Sequence, residues 1–117
     1  MTNELKEPLA GILKKLQDPN RPFTLFIQAQ IKPGSMADFR PVAEAAVKGT
    51  RMELGNIAYE FHQSLDDPNR HFLFEKWIDF ESLKSHFDQS YTHAIIESFD
   101  RFGAAPLSLE VFQPWME

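Results

Sequence analysis

Apolar residues recur along this 117-residue chain in two alternating periods. Leu5, Leu9, Ile12, Leu13 and Leu16 fall at helical spacing, so residues 3–17 read as a helix with a narrow apolar stripe, stopped by Asp18-Pro19-Asn20. The period then becomes two. In residues 22–31, Phe23, Leu25, Ile27, Ala29 and Ile31 point one way, and Thr24, Phe26, Gln28 and Gln30 the other. That is a strand with one apolar face and one face carrying amides. After the turn Lys32-Pro33-Gly34, Ser35 can cap a second helix that carries Met36, Phe39, Ala43, Ala46, Thr50 and Leu54 as its stripe and ends at Gly55. Pro41 bends that helix unless it lies in the first turn.

Residues 56–65 and 70–78 alternate as two strands around Asp66-Asp67-Pro68-Asn69, a hairpin turn. Asp79 caps a short helix over 80–88 with Phe80, Leu83 and Phe87 inward. Ser90 or Thr92 opens another, with Tyr91, Ile95, Phe99 and Phe102 on one stripe and Gly103 at its end. Residues 107–113 form a last strand. After the first helix the order is β-α-β-β-α-β, with the second helical segment broken in two. This predicts an α+β domain of the ferredoxin-like split βαβ type, one antiparallel sheet with helices on one face. The division is an N-terminal helical extension, 1–21, and a ferredoxin-like domain, 22–117.

Helices cover only one face of such a sheet, so the other must meet water or a partner. With residue 65 opposite 70, Ile57, Tyr59, Phe61, Phe72, Phe74 and Ile78 share the expected helix-packed face. Ala58, Glu60, His62, His71, Leu73, Glu75 and Trp77 share the bare one. A mixed bare face with a large indole suits packing on a second copy of the chain around a pocket; a partly solvated face with one exposed Trp is the plainer alternative.

Composition narrows the partners. Twelve basic residues stand against 17 acidic ones, a net charge of −5, and no Lys or Arg run accumulates. Nucleic acid and anionic membrane surfaces are therefore not expected. The chain has no cysteine, which removes disulfides, Cys-ligated metals and thiol catalysis. No apolar run approaches a membrane span and the N-terminus does not read as a signal peptide, so a cytoplasmic protein is expected. Eleven of the 15 aromatic residues are Phe. That is more ring surface than one small core requires, so part of it is available to a pocket or interface.

Glu53-Leu54-Gly55-Asn56-Ile57-Ala58-Tyr59, then Phe72-Leu73-Phe74-Glu75-Lys76-Trp77, then Leu83-Lys84-Ser85-His86-Phe87 with Ser90 beyond, resembles the antibiotic biosynthesis monooxygenase (ABM) family. The pattern there is roughly E-x-G-C-x-x-Y, F-x-x-E-x-W and L-x-x-H-x-x-S. Asn56 stands where many members have Cys. The resemblance spans about residues 22–114 and implies a dimeric α/β barrel, hence a homodimer. Members include cofactor-independent quinol and anthrone-type monooxygenases, haem-degrading enzymes and an isomerase of a phosphorylated sugar. The haem-degrading subgroup relies on an Asn in its first strand, and residues 22–31 contain none. The fold is thus implied more strongly than the reaction.

His86 is the candidate catalytic base, since imidazole titrates near neutrality and can take a phenol proton. Its alternative role is structural, packed on the indole or bonded to a carboxylate. Trp77 would form a pocket wall, and Glu75, Gln28, Leu73 and Phe26 would complete a substrate site. For Glu75 the expectation is a salt bridge to Arg or Lys, with proton sharing with Glu60 as the alternative. Tyr59 is assigned to the core. His62 and His71 come out as diagonal neighbours, but no ligand spacing supports a metal site. The leading reading is a cofactor-free monooxygenase acting on a small aromatic or quinol-type molecule. The alternatives are a non-catalytic small-molecule-binding dimer and an isomerase on a small metabolite.

Overall fold

A computed structural model describes residues 3–116. It contains, in chain order, α1 (Asn3–Lys15), β1 (Phe23–Gln30), α2 (Met36–Thr50), β2 (Asn56–Gln63), β3 (Arg70–Trp77), α3 (Phe80–His86), α4 (Ser90–Phe102) and β4 (Ser108–Phe112). The strands form one sheet in the order β2-β3-β1-β4, and every neighbouring pair is antiparallel. This is the split βαβ arrangement that the alternating periods predict.

The apolar side of β1 faces the helices, with Phe23, Leu25, Ala29 and Ile31 buried. Phe39, Ala43, Ala46 and Thr50 of α2 pack over one half of that side, together with Ile95 and Phe99 of α4. Phe80, Leu83 and Phe87 pack over the other half, joined by Ile12 of α1 and by Leu16 just after it. Burying one such side chain contributes roughly 1.5–3 kcal/mol. The extension therefore shares the core with the rest of the chain. Gln113, just past β4, ties down the linker behind α1. Its Oε1 accepts from Gln17 N at 2.8 Å, and its Nε2 donates to Asp18 O at 2.8 Å.

Local signals act as expected at α3, where Asp79 Oδ1 accepts from Ser82 N at 2.9 Å. They act differently elsewhere. The Ser35 side chain makes no cap bond, and Gln89 takes the cap position of α4. Pro41 lies inside a continuous α2, beyond its first turn. That helix stops at Thr50 rather than Gly55, so Leu54 falls in a turn and is exposed.

The hairpin corrects the expected register. Ser64 N donates to Arg70 O at 2.9 Å, so residue 64, not 65, meets residue 70. Ser64 Oγ accepts from the backbone N–H of Asp66 and Asp67, and Asp67 Oδ1 from that of Asn69. The turn thus draws in Leu65. Tyr59 pairs with Glu75, Phe61 with Leu73 and Gln63 with His71, with a bulge between Asn56 and Ala58. A one-residue slip exchanges the faces of one strand relative to its neighbour. Leu73, Glu75 and Trp77 accordingly lie under the helices with Tyr59 and Phe61. Phe72 and Phe74 lie on the bare face with Glu60, His62, Phe26 and Gln28.

Candidate functional site

The alternation of β3 sends Leu73, Glu75 and Trp77 toward the helices, between Leu25 of β1 and Tyr59 of β2, both of which stand opposite Glu75. Trp77 is 0% exposed and Glu75 5%. His86, the last residue of α3, drops onto this strip, its ring centroid 4.7 Å from that of the Trp77 indole. His86 is 2% exposed.

Two other segments hold that imidazole. Glu53, in the turn after α2, places Oε2 2.8 Å from His86 Nδ1, and the same oxygen accepts from Tyr91 Oη at 2.7 Å. Thr92, one residue on in α4, sets its Oγ1 3.3 Å from Nδ1 and 3.4 Å from Nε2. An ionised carboxylate only accepts, so Nδ1 carries the proton toward Glu53 and Nε2 keeps the ring's lone pair. His86 thus packs on the indole and also bonds a carboxylate.

Behind these groups lies a cavity of about 240 Å³. Leu25, Ile27, Leu73, Ile95, Ile96 and Phe99 form its apolar walls, and Tyr59, Glu75, His86 and Thr92 supply its polar atoms. Pro8 and Ile12 of α1, with Leu107 and Leu109 near β4, also line it. A larger, open groove of about 700 Å³ runs beside α2, rimmed by Arg40, Lys48 and Arg51. The smaller cavity is the better candidate. It is mostly apolar, and a few polar and titratable groups converge in it, as in ligand sites.

Burial sets the protonation states. It pushes the Glu75 carboxyl up to about 7, against the N–H···O bond from Trp77 Nε1 at 3.0 Å, which favours the charged form. Burial lowers the His86 pKa while Glu53 raises it, and burial wins. Tyr59 is raised by burial and then by the nearby Glu75 carboxyl. Burial and then Glu53 also raise Tyr91, whose hydroxyl remains a donor. Near neutral pH the site therefore holds an uncharged imidazole and a carboxyl that is part neutral.

The sequence pattern predicts that six residues meet at a site, and the sheet divides them. His86, Glu75 and Leu73 line the cavity, and Trp77 backs His86. Phe26 and Gln28 sit on the opposite face, because their parity along β1 is that of Thr24 and Gln30. The cavity lies on the helix side of a single subunit, not on the bare face. Glu75 takes its hydrogen bond from an indole, not from Arg or Lys, and Glu60 is on the other face. His62 and His71 also point to opposite faces. Among the described residues no group of three or more His, Asp or Glu is placed to hold a metal.

The sequence pattern does not mark Glu53, Tyr91 and Thr92 as site residues. Glu53 does begin the E-x-G motif. Tyr91 and Thr92 stand five and six residues after His86, across a helix break that folds them back on it.

The family model described as antibiotic biosynthesis monooxygenase matches residues 22–98. A curated relative from Synechocystis, described as an uncharacterized protein, is 22% identical over 106 residues, covering 91% of this chain and 72% of its own. Among solved structures, Rv0793 from Mycobacterium tuberculosis superposes with a TM-score of 0.74 at 21% identity, covering 82% of this chain and 97% of its own. A Nitrosomonas europaea structure that carries the family's description gives 0.76 at 18%, covering 86% and 96%. These structural likenesses establish the fold. No described helix is long and apolar enough to cross a membrane.

Proposed function

Because the chain belongs to the antibiotic biosynthesis monooxygenase family, we propose that its helix-side cavity binds a small electron-rich phenol or hydroquinone and oxygenates it with O₂. One observation carries the reading. An apolar cavity holds an imidazole whose Nδ1 is engaged by Glu53, leaving Nε2 as the basic nitrogen. Nε2 takes the phenol proton. The phenolate passes one electron to O₂, and the radical pair collapses to a C–O bond at a ring carbon that bears hydrogen. Loss of that hydrogen as a proton and cleavage of the O–O bond leave a ring carbonyl and one water. A phenol ArH(OH) and O₂ thus give a quinone and H₂O. The substrate supplies all four electrons. The Trp77–His86 ring contact and the apolar walls keep bulk water from the reactive anion. The part-neutral Glu75 can donate a hydrogen bond to a substrate or peroxide oxygen.

The bare face supports a homodimer in this reading. Phe26 and Phe72 lie with ring centroids 4.9 Å apart, and His62 stacks on Phe72 at 4.5 Å. A contiguous ring cluster on an otherwise uncovered sheet suits isologous contact with a second copy. Phe26 and Gln28 then serve the interface rather than the cavity.

Oxygen uptake with 1-naphthol tests the reaction, with the quinone followed by absorbance. The wild type should consume one O₂ per quinone, and His86→Ala should lose on the order of 10²–10⁴-fold, the usual worth of a general base. Equal turnover by the two proteins, or no uptake with any small phenol or hydroquinone, removes the proposal.

A further inference from the structure

We propose that α1 is the size-limiting wall of this cavity and restricts its ligands to one or two fused rings. This rests on the proposed function for the phenolic nature of the ligand, but not for its size. The polar end of the cavity, Tyr59, Glu75, His86 and Thr92, falls inside the matched residues 22–98. Pro8 and Ile12 of α1 and Leu107 and Leu109 near β4 also line the cavity, and all four lie outside them. The groups that do chemistry thus come from the part that the family model matches, and Pro8, Ile12, Leu107 and Leu109 come from outside it.

Ile12 is well placed for the task. It is 2% exposed and packs with Phe23, Leu25 and Trp77, so it is part of the core rather than a loose flap. The linker behind it is pinned at both flanks, by Gln113 on Asp18 and by Phe80 N donating to Pro19 O at 2.8 Å. Its wall is accordingly a fixed dimension of the site.

Volume gives the cutoff. A dry apolar cavity of ~150 Å³ accepts a six-carbon ring, so ten ring carbons need roughly 250 Å³ and fourteen roughly 350 Å³ by proportion. The cavity of about 240 Å³ matches the ten-carbon case. Hydrophobic transfer alone would favour the larger arene, because it buries more area. Preference for the smaller one is therefore a signature of the wall.

The test measures binding of naphthalene and phenanthrene to the full chain by their own fluorescence. Neither carries a hydroxyl, so the result concerns the wall and not the phenol chemistry, which the oxygen assay reads separately. The wild type should bind naphthalene at least tenfold more tightly than phenanthrene. Ile12→Ala should shrink that ratio at least tenfold, and Ile12→Phe should weaken naphthalene binding by tenfold or more. Circular dichroism checks the fold of each variant. If Ile12→Ala does not fold, Ile12→Val should move the ratio in the same direction by less. Equal or tighter wild-type binding of phenanthrene, no wild-type binding of naphthalene, or an unchanged ratio in the folded variants overturns the inference.

Discussion

His86 Nδ1 and Glu53 Oε2 are 2.8 Å apart, joining residues 33 positions distant along the chain. The contact fixes both the tilt of the imidazole and its tautomer, and it raises a pKa that burial lowers. Glu53 touches the base rather than the cavity and is a positioning residue. Glu53→Gln should lower phenol turnover by about 10–100-fold, less than the ~10²–10⁴ expected from losing the base itself. With the carboxylate gone the His86 pKa falls further, so the acidic limb of the pH–rate profile should move to lower pH. A purely structural Glu53 would lower activity without moving that limb.

Glu75 makes stability depend on pH in an unusual direction for a carboxyl. Its pKa rises from 4.5 unfolded to about 7 folded, so between those values the folded chain binds the extra proton. The stabilisation from keeping it neutral is complete below about 4.5 and is lost as pH rises through 7. The shift corresponds to something on the order of 3 kcal/mol. His86 and His71 have lowered pKa values and oppose this on the acidic side, losing stability as pH falls. The difference between wild type and Glu75→Gln isolates the carboxyl. In urea unfolding, Glu75→Gln should gain stability relative to wild type on going from pH 5 to pH 8. A constant difference would show that Glu75 stays ionised throughout.

Much of this architecture is legible in the sequence because it rests on local periods. The parity of Phe23, Leu25 and Ala29 places β1 correctly, and the Asp79 cap places α3. What is not legible depends on counting across a turn. Leu65 looks like a strand residue, but the Ser64 hydroxyl and the Asp67 carboxylate satisfy the backbone N–H groups of a longer loop, which leaves Leu65 outside. That one position moves Trp77, Glu75 and Leu73 from the bare face to the helix face. It also separates Gln28 and Phe26 from them. His86 is legible as a candidate by type and motif. Its partners are not, since Glu53, Tyr91 and Thr92 meet it only when α2, α3 and α4 are stacked.

Gly55, the glycine of the E-x-G motif, is required by close approach rather than by backbone angle. A Cβ there would collide with both the Cβ and Oγ of Ser82. Ser82 cannot yield freely, because its N and Oγ both donate to Asp79 Oδ1 at the start of α3. Gly55→Ala should therefore destabilise the chain by roughly 1–3 kcal/mol, the usual cost of overpacking. Adding Ser82→Gly should recover part of that loss by removing the colliding atoms. Urea denaturation of the two single variants and the double variant measures the coupling. Additive effects would mean that the two residues do not meet.

The bare face yields the last prediction. Phe72 is only half-buried in one subunit, although it is flanked by Phe26 and by the His62 ring stacked on it. Across a two-fold axis such a cluster would meet its own copy, and its rings would become the buried centre of the interface. Light scattering of the wild type should therefore give twice the chain mass. Phe72→Glu would place two carboxylates against each other at that centre and should return a monomer at micromolar concentration. The cavity lies on the other side of the sheet, within one subunit, so the variant should still bind naphthalene. A wild-type monomer would show that the ring cluster faces water. A Phe72→Glu dimer of unchanged affinity would place the interface elsewhere. His62, whose Nε2 lies 2.9 Å from Glu60 Oε1 on the same face, gives a second handle. His62→Ala removes the ring that covers Phe72 and should weaken the dimer by less than Phe72→Glu does, since it deletes contact area without burying a charge.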